Sequence, residues 1–518
     1  MRLGIDFGTT RTVVAAAVDG RYPVAVFETA RGYSDFVPSL AVRTPGGTTL
    51  GWDALAGLAP DSAAEAVVGS IKREVASRPP DDPLGELGMN GTALELAIEY
   101  LEHLRRSIVE HSNLDVDPNE PLEAMVAVPA HAATSQRYLT VEAFKRAGFT
   151  VLGLINEPTA AAIEYAHNNL AALGRRSPKR YVVVYDLGGG TFDTSAVSLV
   201  DRRFELLATE GIGRLGGDDF DAEILTLALA EAKISQESLS RVTRARLLAT
   251  CREAKEGLSP SSRRLLVDLG AALPGADAVA LDVERLNAAC MPLVRRTLEL
   301  LSTILDRVRE HGIDPDNPRE LGGVYLVGGA TGFPLVSRTL RELYKRKVLL
   351  APQAHAATAV GLAIAADPDA QVFVRESVTR HFGVWREGEG GRDKVFDPII
   401  AKGRLPDDDT ILVERRYHPV HAVGHLRFIE CTGVGRDGRP EGDLTPWGEL
   451  LFPYDASLRE KRDLSDVPPD RKLSNGYAEI VERYSYGRDG TIAVSIENAT
   501  HGYCRRYVLG QPGTVAAE

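Results

Sequence analysis

Cysteine is scarce in this chain of 518 residues: there are four, Cys251, Cys290, Cys431 and Cys504, far apart and never spaced as CxxC. A zinc ribbon or a CxxC redox pair is thereby excluded. Two disulfides are formally allowed, yet buried free thiols in a reducing compartment are the simpler expectation. Long apolar runs are missing as well. None approaches the roughly 18 residues of a membrane span. The opening Met1-Arg2-Leu3-Gly4-Ile5-Asp6 lacks the apolar stretch of about 7–15 residues that a signal peptide needs. Positive charge is in short supply: 60 Lys and Arg against 72 Asp and Glu leave a net charge of −12, without the basic field of a nucleic-acid binder. Two phosphate-binding strings are absent too: GxxxxGK followed by Ser or Thr, and GxGxxG after the first strand-like run. Together these absences predict a cytoplasmic protein with neither membrane nor nucleic acid as partner.

What is present is the composition of a folded chain, 44% hydrophobic and 25% charged. At roughly 150 residues per domain, two to four folding units are expected. An internal repeat organises the larger part. Residues 2–6 form a short apolar run, Gly8-Thr9-Thr10 a turn, 12–18 a second run closed by the hairpin signal Asp19-Gly20, and 22–27 a third strand. The order returns 180 residues later: 181–186, the turn Gly188-Gly189-Gly190-Thr191, 192–200, a turn at Asp201-Arg202, and 204–208. Strand, helix, strand and helix then follow each meander. In the first copy they are 124–128, 135–147, 151–155 and a helix from Pro158; in the second they are 324–327, 334–343, 347–350 and 356–366. Repeated order predicts two related α/β lobes with a cleft between them.

From about residue 370 the pattern changes to alternating segments at 411–416, 425–430, 477–485 and 491–497, parted by turns such as Arg436-Asp437-Gly438 and Arg488-Asp489-Gly490. No long helix interrupts them. A separate all-β, sandwich-like domain of about 145 residues is expected, with Asp367-Pro368-Asp369 near its boundary.

Chemistry concentrates at the two turns, Asp6-Phe7-Gly8-Thr9-Thr10 and Asp186-Leu187-Gly188-Gly189-Gly190-Thr191-Phe192-Asp193. Glycines let backbone N–H groups approach an anion, and threonine hydroxyls add donors. Carboxylates beside a phosphate repel it unless a divalent cation intervenes, so Asp6, Asp186 and Asp193 suggest Mg²⁺ held largely through water. Either string alone suits an ordinary hairpin; two in equivalent places of a repeat favour phosphate binding.

These motifs resemble the phosphate loops of the actin, sugar kinase and heat-shock chaperone superfamily. Ile155-Asn156-Glu157-Pro158-Thr159-Ala160-Ala161-Ala162 narrows the resemblance to the DnaK-type, seventy-kilodalton heat-shock chaperones. Ile71-Lys72-Arg73, Val128-Pro129-Ala130, Gln136-Arg137, Leu215-Gly216-Gly217-Asp218-Asp219-Phe220-Asp221 and Leu326-Val327-Gly328-Gly329 agree in order and spacing. The match covers about residues 1–366 well and persists, fainter, in Pro398-Ile399-Ile400-Ala401-Lys402-Gly403 and Asp489-Gly490-Thr491-Ile492. It implies actin-like ATPase lobes (1–366), a linker (367–376) and a β-sandwich peptide-binding domain (377–518). It also implies ATP or ADP with Mg²⁺ as cofactors, an unfolded or extended polypeptide or a dedicated protein client as partner, and a J-domain co-chaperone.

Roles carry over residue by residue. Lys72 would bring a cation to the γ-phosphate, Glu157 would orient the attacking water, and Thr191 would offer its hydroxyl to either. Asp6, Asp186 and Asp193 would organise the metal shell. Gly8, Thr9, Thr10, Gly188, Gly189, Gly190, Gly216, Gly217, Gly328 and Gly329 would surround the phosphates, and Lys255 and Ser259, one helical turn apart, would meet the ribose and base. Pro129 and Arg137 match positions that relay nucleotide state, although a strand-ending proline and a surface helix arginine explain them equally well. Without the other motifs, Lys72 reads as a solvated lysine and Glu157 as an acid favoured at a helix start.

The sequence departs from the family on the base side. Position 252 is Arg where the family has an acid, 256 is Glu where it has a basic or apolar residue, and Gly332 replaces an arginine that stacks on the base. Arg252 and Glu256 are spaced to pair with each other. A weakened adenine clamp is expected, as are a trimmed subdomain between Lys72 and Thr92, loose coupling through 371–376, and no helical lid after the β domain. His418, His421 and His425 are better read as edge histidines than as a metal site. Two other functions stay open: a small-molecule kinase of the same superfamily, and a non-enzymatic module that uses nucleotide as a structural ligand.

Overall fold

A computed structural model describes the chain except residues 60, 79–81, 170–176, 201–202, 311, 316, 318, 376–377, 389–392, 405–409, 488–490 and 510–518. The turns at Asp201-Arg202 and Arg488-Asp489-Gly490, the linker residue Glu376 and the tail 511–518 therefore lie outside the described residues. The rest divides into two compact units, Met1–Ala130 with Glu142–Val374, and His131–Val141 with Arg375–Glu518.

In the first unit the repeat is visible at the level of single hydrogen bonds. Arg2–Phe7 pairs antiparallel with Arg11–Ala16, Asp6 opposite Val13; Tyr181–Leu187 pairs likewise with Phe192–Ser198, Asp186 opposite Asp193. Each turn is closed by the same bond, Gly8 N–H to the Arg11 carbonyl at 3.1 Å and Gly188 N–H to the Thr191 carbonyl at 3.0 Å. The first strand of each meander also pairs parallel with a later one, Glu123–Val128 or Leu321–Val327. One sheet runs Thr150–Asn156, Glu123–Val128, Arg2–Phe7, Arg11–Ala16, Val37–Pro38. In the other, Val348–Leu350, Leu321–Val327, Tyr181–Leu187, Phe192–Ser198 and Arg203–Ile212 lie side by side. A central parallel strand is covered on both faces, which is why Tyr181 through Tyr185 is an unbroken apolar run, fully buried.

The third strand differs between copies. In the second it is the ten-residue Arg203–Ile212. In the first, the expected strand at 22–27 shrinks to isolated bridges, Ala15 with Val24 and Val18 with Arg21, and a separate hairpin of Phe27–Thr29 and Gly32–Ser34 follows. Pro23 has no N–H to give to a ladder, which limits the pairing. The Asp19-Gly20 turn forms as read, both residues at positive φ (50° and 70°), with Val18 and Arg21 exchanging backbone bonds of 2.9 Å.

The last helix of each copy packs on the other copy's sheet. Ala160–Ala166 of the helix Glu157–Asn168 lies in a core with Val182, Val184, Val197 and Leu206. Ala356, Ala359 and Ala363, at the helix Ala357–Ala366, pack on Val13 and Ala15. Small residues let the two helices touch: a Cβ on Gly361 would fall 1.8 Å from the Ala160 carbonyl oxygen.

The second unit carries two four-stranded antiparallel sheets. Their orders are Asp393–Ile400, His381–Gly388, Val423–Val434, Pro440–Pro453 and Ile411–Tyr417, Ile480–Tyr486, Ile492–Asn498, Tyr503–Leu509. Alternate residues such as Phe382, Val384, Phe428, Phe452, Ile480, Val494 and Ile496 fill the core. Inside it lies an ion network. The buried Glu482 accepts Arg386 Nη2 and Tyr484 Oη, both at 2.7 Å, and a bond from Tyr417. Arg386 Nε also binds Asp397 at 2.7 Å, which Arg415 shares. The cysteines are unpaired, but only Cys251, Cys290 and Cys431 are buried; Cys504 is exposed, correcting the expectation of four buried thiols.

Candidate functional site

The two glycine turns meet in the first unit. A Cβ on Gly189 would lie 2.2 Å from Thr10 Oγ1, and one on Gly190 would lie 2.1 Å from Arg73 Nη2 and 3.1 Å from Thr9 Oγ1. At Gly189 the short Thr10 side chain leaves no room for a Cβ, and at Gly190 a Cβ would displace the Arg73 guanidinium. The second turn is held from behind by the start of the helix Gly217–Ala232. Gly217 N–H donates to the Gly188 carbonyl at 2.9 Å and Asp218 N–H to that of Gly189 at 2.7 Å. Gly216 is required for the same reason, since a Cβ there would reach 2.7 Å from Gly189 backbone atoms. Gly328, at φ 83°, passes within 2.6 Å of Asp186 Oδ1 by the same measure and leads into the short turn Gly329–Gly332.

Lys72 and Glu157 come together although 85 residues apart. Lys72 sits in the first turn of the helix Ile71–Ser77, capped by Ser70, whose hydroxyl accepts from Arg73 N–H at 3.3 Å. Glu157 opens the helix Glu157–Asn168, with Pro158 beside it in the first turn. Their Nζ–Oε1 distance is 2.7 Å, with side chains only 8% and 9% exposed. This burial excludes a solvated lysine, while Glu157 is the helix-start acid beside Pro158 and is buried as well. Burial works against the Lys72 cation, but Glu157 and Asp6 reverse it, and its pKa is raised.

Asp6, Asp186 and Asp193 are the fields Lys72 answers. Burial, with the nearby Glu157, pushes Asp6 up to about 7 and Asp193 up to about 8, and raises Asp186 well above the carboxylate range. The buried Asp193, the half-buried Asp6 and Asp186, and Glu157 thus share one buried ammonium. Such a site is short of positive charge, and that donor set fits a divalent cation. Among the described residues no three acidic, histidine or cysteine side chains are grouped to ligate a metal directly; the fit is to an ion held through water. Thr191, half-buried in its turn, stands with its Oγ1 3.7 Å from where a Cβ on Gly188 would be.

On the base side the structure corrects two expectations. The helix Arg241–Glu256 ends before Ser259, so Lys255 and Ser259 do not share a helix face. Ser259 is exposed among Ser261 and Ser262, whereas Lys255 is buried, its Nζ 2.7 Å from both Asp221 Oδ1 and the Gly217 carbonyl. Nor do Arg252 and Glu256 pair. Arg252 binds Asp218 at 2.7 Å and Asp221 at 3.2 Å, and Glu256 binds Arg11. A Cβ on Gly332 would meet nothing within 4 Å.

Two residues escaped the sequence reading. Arg73 donates to the Gly190 carbonyl at 2.9 Å; its place after Lys72 was the available signal. Arg11 is the other, since no local pattern links it to position 256. Arg137, in the second unit, is buried and lines a small cavity with Ala132, Val378, Arg380 and Glu430, not the helix surface. Of the histidines, only His425 belongs to the strand Val423–Val434; His421 forms an isolated bridge, so the two do not share a strand face. His421 binds Glu387 at 2.7 Å, His425 binds Glu449, and His418 packs on Tyr477. Among the described residues no helix is long and apolar enough to cross a membrane.

Comparison with known proteins agrees with this geometry. Residues 88–374 match the family model described as Hsp70 protein. The chain is 34% identical to the chaperone protein HscA homolog of Azotobacter vinelandii, over 97% of this chain and 76% of that protein. It is 32% identical to chaperone protein HscA of Escherichia coli and of Salmonella agona, over 96% of this chain and 80% of each. With actin-like lobes, a second unit of two β-sheets and these matches, the chain belongs to the Hsp70 family of ATPase chaperones.

Proposed function

We propose that this chain is an HscA-like chaperone. It hydrolyses ATP with Mg²⁺ between the two glycine turns and binds an extended polypeptide, or a dedicated protein client, on its β domain with help from a J-domain co-chaperone. We assign residues 1–366 to the nucleotide-binding domain, 367–376 to the linker and 377–518 to the β domain, in the cytoplasm. The observation that carries the reading is the buried Lys72–Glu157 pair beside Asp6, Asp186 and Asp193. The family match sets the small-molecule kinase reading aside.

Bound Mg-ATP supplies the phosphoryl group and the cation. Lys72 offsets charge developing on the γ-phosphoryl oxygens, and its bond to Glu157 holds both groups in place. Glu157 orients a water for in-line attack, and the Thr191 hydroxyl holds that water or a phosphate oxygen. Asp6, Asp186 and Asp193 would hold a divalent cation through water, and it would supply positive charge beside the phosphates. The glycines of both turns, with Thr9 and Thr10, surround the phosphates, while Lys255 and Ser259 lie toward the ribose and base. On the β domain, strand edges offer backbone hydrogen bonds to an extended chain.

Single-turnover hydrolysis of Mg-ATP by the full chain is the test. Hydrolysis well above that of a Lys72→Ala control supports the reading; a rate equal to the control overturns its enzymatic half. The open space at Gly332 favours one other reading, a nucleotide-stabilised docking module. That module would melt at a higher temperature with ADP yet show no turnover.

A further inference from the structure

We infer that the edge strand Val348–Leu350, with its exposed leucines and the basic turn before it, is a docking site for an acidic, apolar segment of a partner protein, which adds to the sheet as a further strand. The inference does not draw on the nucleotide site. Val348–Leu350 lies on the opposite side of Tyr181–Leu187 from Arg203–Ile212. It pairs parallel with Leu321–Val327, Leu349 opposite Tyr325, and among the described residues no strand pairs with its outer side. Outward N–H and C=O groups on such an edge are a template for another chain. Leu349 and Leu350 are 36% and 47% exposed, and Leu343, in the last turn of the preceding helix Pro334–Tyr344, is 58% exposed. Leu349 is set in place by its neighbour: its Cδ1 lies 2.8 Å from where a Cβ on Gly323 would be, so the missing side chain makes room for it.

The end of the helix and the turn after it supply the charge. Arg338, Arg341, Lys345, Arg346 and Lys347 stand against one acid, Glu342, a local charge of +4 in a chain of −12. Among the described residues none of the five cations makes an ion pair. Glu320, just ahead of the neighbouring strand, is bound by Arg180 at 3.7 Å and by Asn317 at 2.9 Å. A helix C-terminus favours cations, which accounts for Arg341. Lys345 through Lys347 lie beyond the helix, and Lys345 turns the corner at φ 53°, a conformation that suits glycine.

Edge and charge together select the occupant. A second copy of this chain would set the same cations against each other across the new ladder, which is destabilising. A bilayer offers an open strand edge no hydrogen bonds, and leucines give nucleic-acid bases no stacking face. An extended segment that alternates Asp or Glu with Leu, Ile or Val satisfies the backbone, the leucines and the cations at once.

The probe is a fluorescein-labelled peptide of about nine residues that alternates Glu with Leu or Val, titrated into the full chain and read by anisotropy at about 50 mM salt. Two double variants, Lys345→Glu with Arg346→Glu and Leu349→Ser with Leu350→Ser, are each expected to weaken binding about tenfold. All four side chains are exposed, so melting temperatures should not change. The same peptide methylated on alternate backbone nitrogens cannot complete a ladder and should not bind. Equal affinity in the wild type and both variants would place the peptide elsewhere and overturn the site. So would a wild type that binds no peptide up to about 1 mM. Variant-sensitive binding of phosphatidylserine vesicles or single-stranded DNA as tight as that of the peptide, or a dimer in sedimentation that the variants dissolve, overturns the assignment of the occupant.

Discussion

Asp186 lies directly across the antiparallel ladder from Asp193, whereas the equivalent partner of Asp6 in the first repeat is Val13. Duplication kept the turn and its hydrogen bond but placed two carboxylates on one side and one on the other. The crowded side is where the aspartates are hardest to ionise, because burial and Glu157 both oppose a further charge.

That crowding makes the unliganded protein pH-sensitive. Carboxyl groups whose folded pKa is raised stabilise the fold fully below about pH 4, and that contribution is lost as pH rises through the folded values, about 7 for Asp6 and about 8 for Asp193. The melting temperature should fall by several degrees between about pH 5.5 and 8.5, less so with Mg-ADP, and an Asp193→Asn variant should give a flatter profile. A melting temperature constant over this range would refute the account.

Gly332 leaves room beside the proposed base position, with nothing within 4 Å of a built Cβ. Gly332→Arg would supply the stacking cation that the wider family carries there. Calorimetric titration should show ADP binding about threefold to tenfold tighter, with a smaller gain for GDP. Equal affinities before and after the change would show that the base lies elsewhere.

Inside the β domain, Arg386 neutralises Glu482, which is wholly buried. Arg386→Met leaves that carboxylate without its cation and should cost about 3–5 kcal/mol; adding Glu482→Gln should recover most of it. Amide hydrogen exchange across Ile480–Tyr486 in the full chain reads the effect locally. Unchanged protection in the single variant would mean the network carries no net stability.

The contact between the helices Glu157–Asn168 and Ala357–Ala366 tolerates no Cβ at Gly361. Gly361→Ala forces the backbones apart and should lower the melting temperature by several degrees, an overpacking cost of about 1–3 kcal/mol. Gly332→Ala, with open space around it, serves as the neutral control, and equal behaviour of the two would contradict the packing argument.

Much of this was legible in the sequence because it is local or repeated. Two glycine turns 180 residues apart, each followed by strand, helix, strand and helix, are enough to predict paired lobes, and the alternation after residue 370 is enough to predict a β domain. The chemistry of Lys72 and Glu157 was legible only through resemblance, since nothing in either segment says that 85 residues of chain bring them to 2.7 Å. What failed were guesses that used sequence neighbours as partners. Arg252 and Glu256 have the right spacing for each other, yet Asp218 and Asp221 on a packed helix, and Arg11 on the other lobe, are the partners found. The strand at 22–27 failed although the turn before it formed, because Pro23 has no N–H for the ladder.

The exchange of helices between the repeats has a further consequence. A fragment ending near residue 169 would hold a sheet without the helix Ala357–Ala366 that covers Val13 and Ala15, and would leave the face of Ala160–Ala166 that meets Val182, Val184 and Val197 open to water. Its complement would carry the reciprocal defect. The halves are therefore not modules that can be expressed apart and later mixed. They are clasped, so folding of either sheet waits on chain made at the far end of the other, and a ribosome-bound first half stays incomplete until residue 366 has emerged.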